Sequence, residues 1–289
     1  MFKKSILTVL VALLLVSMSA DKKAYQLYNS KGKDVNYSKM IDQIKDADIV
    51  FFGESHNNAI GHWLELEIAK SLFAERGSQF IMGAEMYESD QQLIVDEYIS
   101  GIVAYKYFKE QARLWKNDAT DYNPILDFAL ENKIPFIATN VPRRYAAIVN
   151  NGGLEALDSL SDEAKALIAP LPILYDDSLA CYKNMLAMMG DHASPKMVNI
   201  TRAQALKDAT MAHFILKNWE PGKCFFHFNG SYHSESYESI IWYLKQANPN
   251  LKIATITTIE QENIDKVEDS DLTKADFILV VDEDVTKTY

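Results

Sequence analysis

The stretch ADIVFFGESH, residues 47–56, indicates which class of fold the sequence adopts. Its first six residues are almost all apolar, and a glycine followed by Glu54, Ser55 and His56 comes directly after them. A short run of near-continuous apolar character is typical of a strand that is covered on both faces of a sheet. Glu54 and His56 are therefore expected where a buried strand ends.

Five further runs of the same kind occur along the chain, each bounded by turn signals. They are QFIMGAE (79–85), IPFIATN (134–140), CFFHFNG (224–230), KIATIT (252–257) and DFILVV (276–281). Helical patterns lie between several of them, at 61–76, 123–133 and 202–219. The alternation of strand and helix predicts an α/β fold, with a mostly parallel sheet flanked by helices.

One segment interrupts this alternation. Residues 145–200 contain no convincing strand and resemble helices joined by loops that contain proline. We expect residues 21–144 and 201–289 to form the α/β domain. Residues 145–200 are predicted to be an inserted, smaller helical domain.

The first twenty residues have the pattern of a signal peptide. Lys3 and Lys4 precede a short apolar run, and Ser17, Ser19 and Ala20 offer a cleavage site. The apolar run is too short to span a bilayer, although an uncleaved anchor is the competing interpretation. No cysteine lies near the cleavage region, so lipid attachment through an N-terminal cysteine is not expected. We predict an exported protein, periplasmic or associated with the cell envelope.

The charge of the chain excludes several partners. The sequence contains 29 Lys and Arg against 40 Asp and Glu, which gives a formal net charge of −11. Such a balance argues against nucleic acid and against anionic membrane surfaces as partners. It leaves room for a local basic pocket.

Polar residues follow four of the predicted strands. Glu54 and His56 follow the first, Glu85 ends the second, Asn140 ends the third, and His233 comes soon after the fourth. In open parallel α/β sheets, ligands bind at the carboxyl ends of the strands. The sequence therefore predicts a crevice in which these residues meet.

The motifs GESH (53–56) and GSYH (230–233) share one form, since each follows an apolar run and ends in histidine. Gly53 and Gly230 allow a tight turn or a close approach of the backbone. His56 and His233 with Glu54 and Glu85 can bind a transition metal, act in acid–base catalysis, or serve as hydrogen-bonded caps. The neighbouring His62 is expected near a helix start, either in the crevice with these residues or facing solvent. Glu65 and Glu67 are expected on the surface of that helix.

Two other groups suit a flat aromatic ligand. Tyr182, Met185 and Met189 share one helical face, which fits an apolar ligand, a dimer interface or an ordinary core equally well. Tyr145 follows Arg143 and Arg144. A phenol beside two guanidinium groups can ligate ferric haem while the arginines bind its propionates, or can simply pack above a salt-bridging pair.

Five stretches together carry a resemblance to a known family. They are GESHNNAIGHWLELE, GAEMYESDQQLIVDEYISG, ATNVPRR, RAQALKDATMAHFI and GSYHSESYESIIWYL, in this order. The sequence resembles the ChaN-type iron-regulated haem-binding proteins, of the superfamily that includes the Tiki and TraB proteins, over about residues 46–281. The resemblance implies a parallel sheet with flanking helices, export, and haem held at a homodimer interface. It also implies a role in haem or iron uptake with outer-membrane or periplasmic components. Family members are often lipoproteins, and the missing cysteine departs from that pattern.

The family implies a tyrosine as the haem ligand. Tyr145 and Tyr182 are the first candidates by position, and Tyr87, Tyr122 and Tyr175 follow. The wider superfamily implies a different role for the paired motifs, in which His56 and His233 with a carboxylate bind a metal ion. Bound water would then attack an ester, amide or peptide bond, with Glu54 or Glu85 as the general base. We predict a haem-binding protein rather than an enzyme, because only that hypothesis accounts for the whole chain; a metal-dependent hydrolase is the alternative.

Overall fold

A seven-stranded sheet forms the centre of the chain in this computed structural model, which describes residues 22–188 and 195–289. The strands are β1 (Tyr25–Asn29), β2 (Ile49–Glu54), β3 (Phe80–Glu88), β4 (Phe136–Asn140), β5 (Cys224–Gly230), β6 (Ile253–Gln261) and β7 (Phe277–Asp282). Their order is β1-β7-β6-β2-β5-β3-β4. Every neighbouring pair is parallel except β1 and β7. The predicted α/β fold with a mostly parallel sheet is therefore confirmed.

All six predicted strands are present, and β1 is the strand that the sequence did not reveal. Its five residues, YQLYN, are only partly buried, and it pairs with β7 at the edge of the sheet. An edge strand of this kind lacks the continuous apolar run that marks strands covered on both faces.

Strand β2 occupies the middle of the sheet, between β5 and β6, and all six of its residues are buried. Its register sets Ile49 opposite Phe225 and Glu54 opposite Gly230. Strand β5 pairs in turn with β3. Because these three strands run in the same direction, their carboxyl ends lie side by side at one edge of the sheet.

Ten α-helices in the described residues surround the sheet. They are α1 (Tyr37–Ile44), α2 (Ala59–Arg76), α3 (Gln92–Ile99), α4 (Tyr105–Gln111), α5 (Asn123–Asn132), α6 (Arg143–Gly152), α7 (Asp162–Lys165), α8 (Ala180–Met188), α9 (Pro195–Asn218) and α10 (Ile240–Ala247). Helix α2 begins directly after the turn that follows β2. The side chain of its N-cap, Asn58, accepts a hydrogen bond from the backbone N–H of Gly61 at 2.9 Å.

Two hydrophobic clusters cover the two faces of the sheet. On one face Phe52 and Phe226 pack with Ile68 of α2. On the other face Phe51 shares a cluster with Val149 of α6. This second cluster also contains Leu157, Ile168 and Leu206, so the predicted helical segment 145–200 and helix α9 pack against the same sheet face. The division into domains stays a prediction.

No helix among the described residues is long and apolar enough to cross a membrane.

Several predictions fall on residues that the structure does not describe. The predicted signal peptide, residues 1–20, and Met189 lie outside the described residues. Both therefore remain predictions from the sequence.

Candidate functional site

The carboxyl ends of β2, β3 and β5 bring the two G-x-x-H motifs together. The Nδ1 atom of His56 lies 2.6 Å from Oε1 of Glu54, and Nε2 of His233 lies 3.2 Å from Oε1 of Glu85. The other oxygen of Glu85 accepts a hydrogen bond from the backbone N–H of Gly230 at 2.9 Å. Each strand-end carboxylate is thus paired with one motif histidine.

The two motif glycines allow the segments to touch. A Cβ atom on Gly53 would lie 2.9 Å from the backbone Cα of Ser231, and one on Gly230 would lie 2.7 Å from Nε2 of His56. Neither position leaves room for a side chain. The histidine of the first motif therefore rests directly against the glycine of the second.

Glu54 contacts two neighbouring side chains through a single carboxylate oxygen. Its Oε1 atom accepts a hydrogen bond from the hydroxyl of Tyr122 at 2.7 Å, in addition to its contact with His56. The carboxyl group is buried, and burial together with the neighbouring Glu65 raises its pKa to about 8. Tyr122, a candidate haem ligand, is fully buried and belongs to this polar cluster.

The prediction that Glu65 lies on the helix surface is wrong, because its side chain is buried. His62 is buried beside Glu54, so it does not face solvent, which was one of its two predicted positions. The Nδ1 atom of His62 lies 3.3 Å from Oε2 of Glu65, and its Nε2 atom lies 3.3 Å from Oδ2 of Asp121. Helix α2 starts so close to the end of β2 that its first turn faces the polar edge. Glu65 precedes the buried Ile68 by three positions, so the helical period does place it on the apolar face. Glu67 is partly exposed and pairs with Lys70, in agreement with the prediction.

A second carboxylate, Asp208 of α9, completes the environment of His233. Its Oδ1 atom lies 2.5 Å from Nδ1 of His233, and its Oδ2 atom accepts a hydrogen bond from the hydroxyl of Tyr182 at 3.1 Å. Burial lowers the pKa of His233, but the charges of Glu85 and Asp208 outweigh it and raise the pKa to about 10. Burial raises the pKa of Glu85, but His233 outweighs it and holds that pKa below its usual range. Asp208 lies within a long helix, where no feature of the sequence distinguishes it.

Two further polar residues, Asn140 and His227, form hydrogen bonds next to this edge. Asn140, at the end of β4, donates a hydrogen bond from Nδ2 to the carbonyl oxygen of Glu85 at 2.9 Å. His227 lies inside β5, where its Nε2 and Nδ1 atoms are 2.8 Å from Oγ1 of Thr139 and 2.9 Å from Oδ1 of Asn229. Burial lowers the pKa of His227 to about 4.

The first pair of candidate haem ligands occupies two different environments. Tyr182 is fully buried, and burial and Asp208 hold its pKa far above the usual value. Tyr145 is 7% exposed, and its hydroxyl accepts a hydrogen bond from Nη2 of Arg144 at 3.2 Å. The guanidinium of Arg144 also lies 4.5 Å from the centre of the Tyr145 ring and pairs with Asp90. Met185 is half-buried on α8.

The other candidates bond within the protein. The hydroxyl of Tyr87 donates to Asp118 at 2.9 Å, and the hydroxyl oxygen of Tyr175 lies 2.7 Å from that of Thr201. Which tyrosine binds haem iron stays a prediction.

A groove of about 430 Å³ lies beside the polar edge. We call it the basic groove; it is lined by Glu88, Arg113, Leu114, Trp115, Lys116, Asn117, Arg143 and Tyr289. The ring of Trp115 packs edge-on against His56, with 4.8 Å between the ring centres, so the groove adjoins the first motif. Of the lining residues, the sequence predicted only Arg143. Glu88 ends β3, and the others come from segments without a recognisable pattern.

Among the described residues, one group of side chains has the spacing of metal ligands. One ligand atom from each of Glu54, His62 and Glu65 lies within 4.8 Å of the other two. The group includes Glu54 from the predicted metal ligands, but not His56, Glu85 or His233. A metal-binding role for those three stays a prediction.

The fold and this edge define an α/β protein with a mostly parallel sheet, whose candidate ligand site has histidine–carboxylate pairs at the carboxyl ends of the strands beside a basic, aromatic groove. More particularly, the chain belongs to the family described as haem-binding uptake, Tiki superfamily, ChaN, whose model matches residues 40–244. The resemblance predicted from the sequence is thereby confirmed.

Solved structures agree with this assignment at the level of the fold. The structure reporting cofacial haem binding to ChaN of Campylobacter jejuni is 17% identical, covers 90% of this chain and 98% of that chain, and has a TM-score of 0.69. The type III effector HopBA1 is 10% identical, covers 84% and 91%, and has a TM-score of 0.46. A mutant of the erythromycin esterase EreC is 10% identical, covers 82% and 77%, and has a TM-score of 0.44. The last two similarities are too weak to carry an argument. The chain matches no curated protein sequence.

Proposed function

We propose that the protein is an exported haem-binding protein that acts in haem or iron acquisition. The observation that carries the proposal is the match of the ChaN haem-binding uptake family to residues 40–244, which is most of the chain. The comparisons favour this function over the alternative of a metal-dependent hydrolase.

The basic groove has the chemistry that haem requires. Lys116 and Arg143 supply positive charge for the two propionates, and the indole of Trp115 offers an apolar surface for the porphyrin. Arg113 is already paired with Glu88 and Asp90. These cations stand together on a chain whose formal net charge is −11. The groove volume lies within the range of about 300–1,000 Å³ that is typical of small-molecule sites.

A phenolate oxygen is the ligand that we propose for ferric iron. Tyr145 and Tyr182 are the candidates from the sequence, and the basic groove adds Tyr289, which is 60% exposed. Iron can reach Tyr289 directly, whereas it can reach the oxygen of Tyr182 only if helix α8 moves away from α9. We therefore place Tyr289 and Tyr145 ahead of Tyr182.

We further propose that two copies of the chain enclose the bound haem. The basic groove is open on one side, so a haem seated in it keeps an exposed apolar face. A second copy that covers this face would remove that area from water, which favours association.

The test is an absorbance titration of the chain with ferric haem, read together with sedimentation of the same samples. We expect a saturable Soret shift with a high-spin spectrum typical of tyrosinate ligation, and a change from monomer to dimer. Each of Tyr145→Phe, Tyr182→Phe and Tyr289→Phe should be titrated beside the unchanged chain, since only removal of the iron ligand should abolish the high-spin spectrum. A titration without saturation would overturn the proposal. Export is tested separately, by fractionating cells that produce the full chain.

A further inference from the structure

A cluster of polar groups lies at the polar edge formed by the carboxyl ends of β2, β3 and β5. It has no part in the proposed haem site. It consists of Glu54 at the end of β2 and of His62 and Glu65 in the first turns of α2. All three are buried, and Glu65 has no exposed surface. Acidic residues that meet in this way need either a counter-charge or a proton, because burial of an unpaired carboxylate is costly.

Two carboxylate oxygens of this cluster lack a partner. Among residues 22–188 and 195–289, neither Oε2 of Glu54 nor Oε1 of Glu65 has a hydrogen-bond partner. In the same part of the chain, histidines are the only cationic side chains within salt-bridge distance of Glu54, Glu65 and Asp121. Three buried carboxylates therefore lie next to two imidazoles and no lysine or arginine.

The orientation of His62 indicates what lies between its ring and the two carboxylates. Its Nε2 atom lies 3.2 Å from the carbonyl oxygen of His56, and because a carbonyl can only accept, Nε2 carries a hydrogen. In the neutral ring the Nδ1 lone pair then faces Oε2 of Glu65 at 3.3 Å and Oε2 of Glu54 at 3.5 Å. A lone pair that faces two carboxylate oxygens is repelled by them unless a proton or a metal ion lies between these atoms. Histidines bound to metal ions show the same arrangement, since the second ring nitrogen donates to a carbonyl or carboxylate.

We propose that Glu54, His62 and Glu65 bind one divalent transition-metal ion inside the protein. For tetrahedral coordination with metal–ligand bonds of about 2.1 Å, neighbouring ligand atoms stand roughly 3.4 Å apart. The two measured separations, 3.3 and 3.5 Å, agree with this value. Imidazole with carboxylates favours ions such as Zn²⁺ over Ca²⁺ or Mg²⁺.

The ion would have a structural role. Its ligands come from the end of the central strand and from the helix that follows, and they are closed off from solvent by the surrounding protein. Three side chains leave one tetrahedral position, which the unpartnered Oε1 atom of Glu65 would fill, so that the site is closed as structural metal sites are. The ion would fix the start of α2 to the sheet edge and thereby hold the carbonyl of His56 in place.

The experiment uses the haem-free chain without a histidine tag, dialysed against Zn²⁺ and then against metal-free buffer. We expect about one equivalent of retained zinc by elemental analysis and a rise of Tm of about 5 °C over the metal-free protein. Glu65→Gln should retain no zinc and show no rise. The matched control is Glu67→Gln, on the same helix but partly exposed, which should behave as the unchanged chain does.

Three results would overturn the proposal. If the unchanged chain retains no zinc while Glu65→Gln is at least as stable, the carboxyl groups share a proton instead. If zinc is lost in Glu85→Gln and kept in Glu65→Gln, the ion sits between His56 and His233. If Glu65→Gln fails to fold, zinc-edge X-ray absorption of the unchanged chain replaces that variant as the test, because it reports how many imidazoles bind the ion. One imidazole among oxygen ligands supports the site, and two or more imidazoles exclude it.

Discussion

Glu85 and His233 form a buried ion pair across the ends of two neighbouring strands, with 3.2 Å between Oε1 and Nε2. Glu85 belongs to β3, and His233 follows β5 after the motif glycine Gly230. The backbone N–H of Gly230 also donates to Glu85, so charge and backbone hydrogen bonding fix the same junction. The pair ties the second G-x-x-H motif to the sheet.

This pair predicts a loss of stability at alkaline pH. The pKa of His233 rises from 6.5 in a free histidine to about 10 in the fold, so its contribution is complete below pH 6.5 and is lost as pH rises towards 10. We expect the free energy of unfolding to fall by several kcal/mol over that interval, roughly 5 at most. Urea unfolding between pH 6 and 9.5 measures it. His233→Gln should lose this slope, and the control His213→Gln should keep it; equal slopes in both would contradict the pairing.

His227 predicts the opposite trend in acid. Its pKa falls from 6.5 to about 4 on burial, so the unfolded chain binds the proton more readily between these values. Stability should therefore decrease by up to roughly 3 kcal/mol as pH falls from 6.5 to 4. Urea unfolding of the chain and of His227→Gln over this range isolates the effect. Imidazole resonances followed by NMR give an independent check, since a His227 signal that titrates near pH 6.5 would show that the ring is not buried.

Gly53 and Gly61 should respond to alanine in opposite directions. A methyl group at Gly53 would meet the backbone of Ser231 at 2.9 Å, and such overpacking costs about 1–3 kcal/mol. At Gly61, inside α2, the nearest atom would be 3.7 Å away, which is ordinary contact. Alanine there should raise stability by up to about 1 kcal/mol, because it favours the helix. Thermal unfolding of both variants tests this, and an equal loss in the two would argue against the close approach of the motifs.

The basic groove predicts a charge-dependent haem affinity. Arg143→Gln removes one exposed cation from the groove and should weaken haem binding about fivefold, which corresponds to about 1 kcal/mol. The weakening should shrink as the salt concentration rises. Haem titration at two ionic strengths measures both effects. Lys39→Gln, which removes an exposed charge from α1 outside the groove, is the matched control; if it weakens binding equally, haem does not occupy the groove.

Most of the strands could be predicted from the sequence, because a strand that is buried on both faces consists of a short run of apolar residues. Each of β2 to β7 is a short apolar run, whether or not its partners are known. The convergence of Glu54, Glu85 and His233 followed from the same logic, because parallel strands end at one edge of a sheet. Strand β1 is short, partly exposed and antiparallel, so it left no comparable run.

The helix-borne part of the site could not be predicted in the same way. His62, Glu65 and Asp208 lie on helices, and the direction in which a helix turns its polar residues depends on what it packs against. The sequence alone does not distinguish a buried glutamate on an amphipathic helix from one that is exposed to solvent. Only the position of Glu65 three residues before Ile68 hinted at burial, and Asp208 offered no hint.

The position of β2 between two parallel neighbours has a further consequence for ligand binding. Hydrogen bonds on both sides hold this strand, so amide hydrogen exchange along Ile49–Gly53 should be among the slowest in the protein and should require global unfolding. Glu54 is therefore preorganised. The chain loses the conformational entropy of this residue when it folds, and a ligand that binds at the edge meets a rigid surface rather than one it must first order.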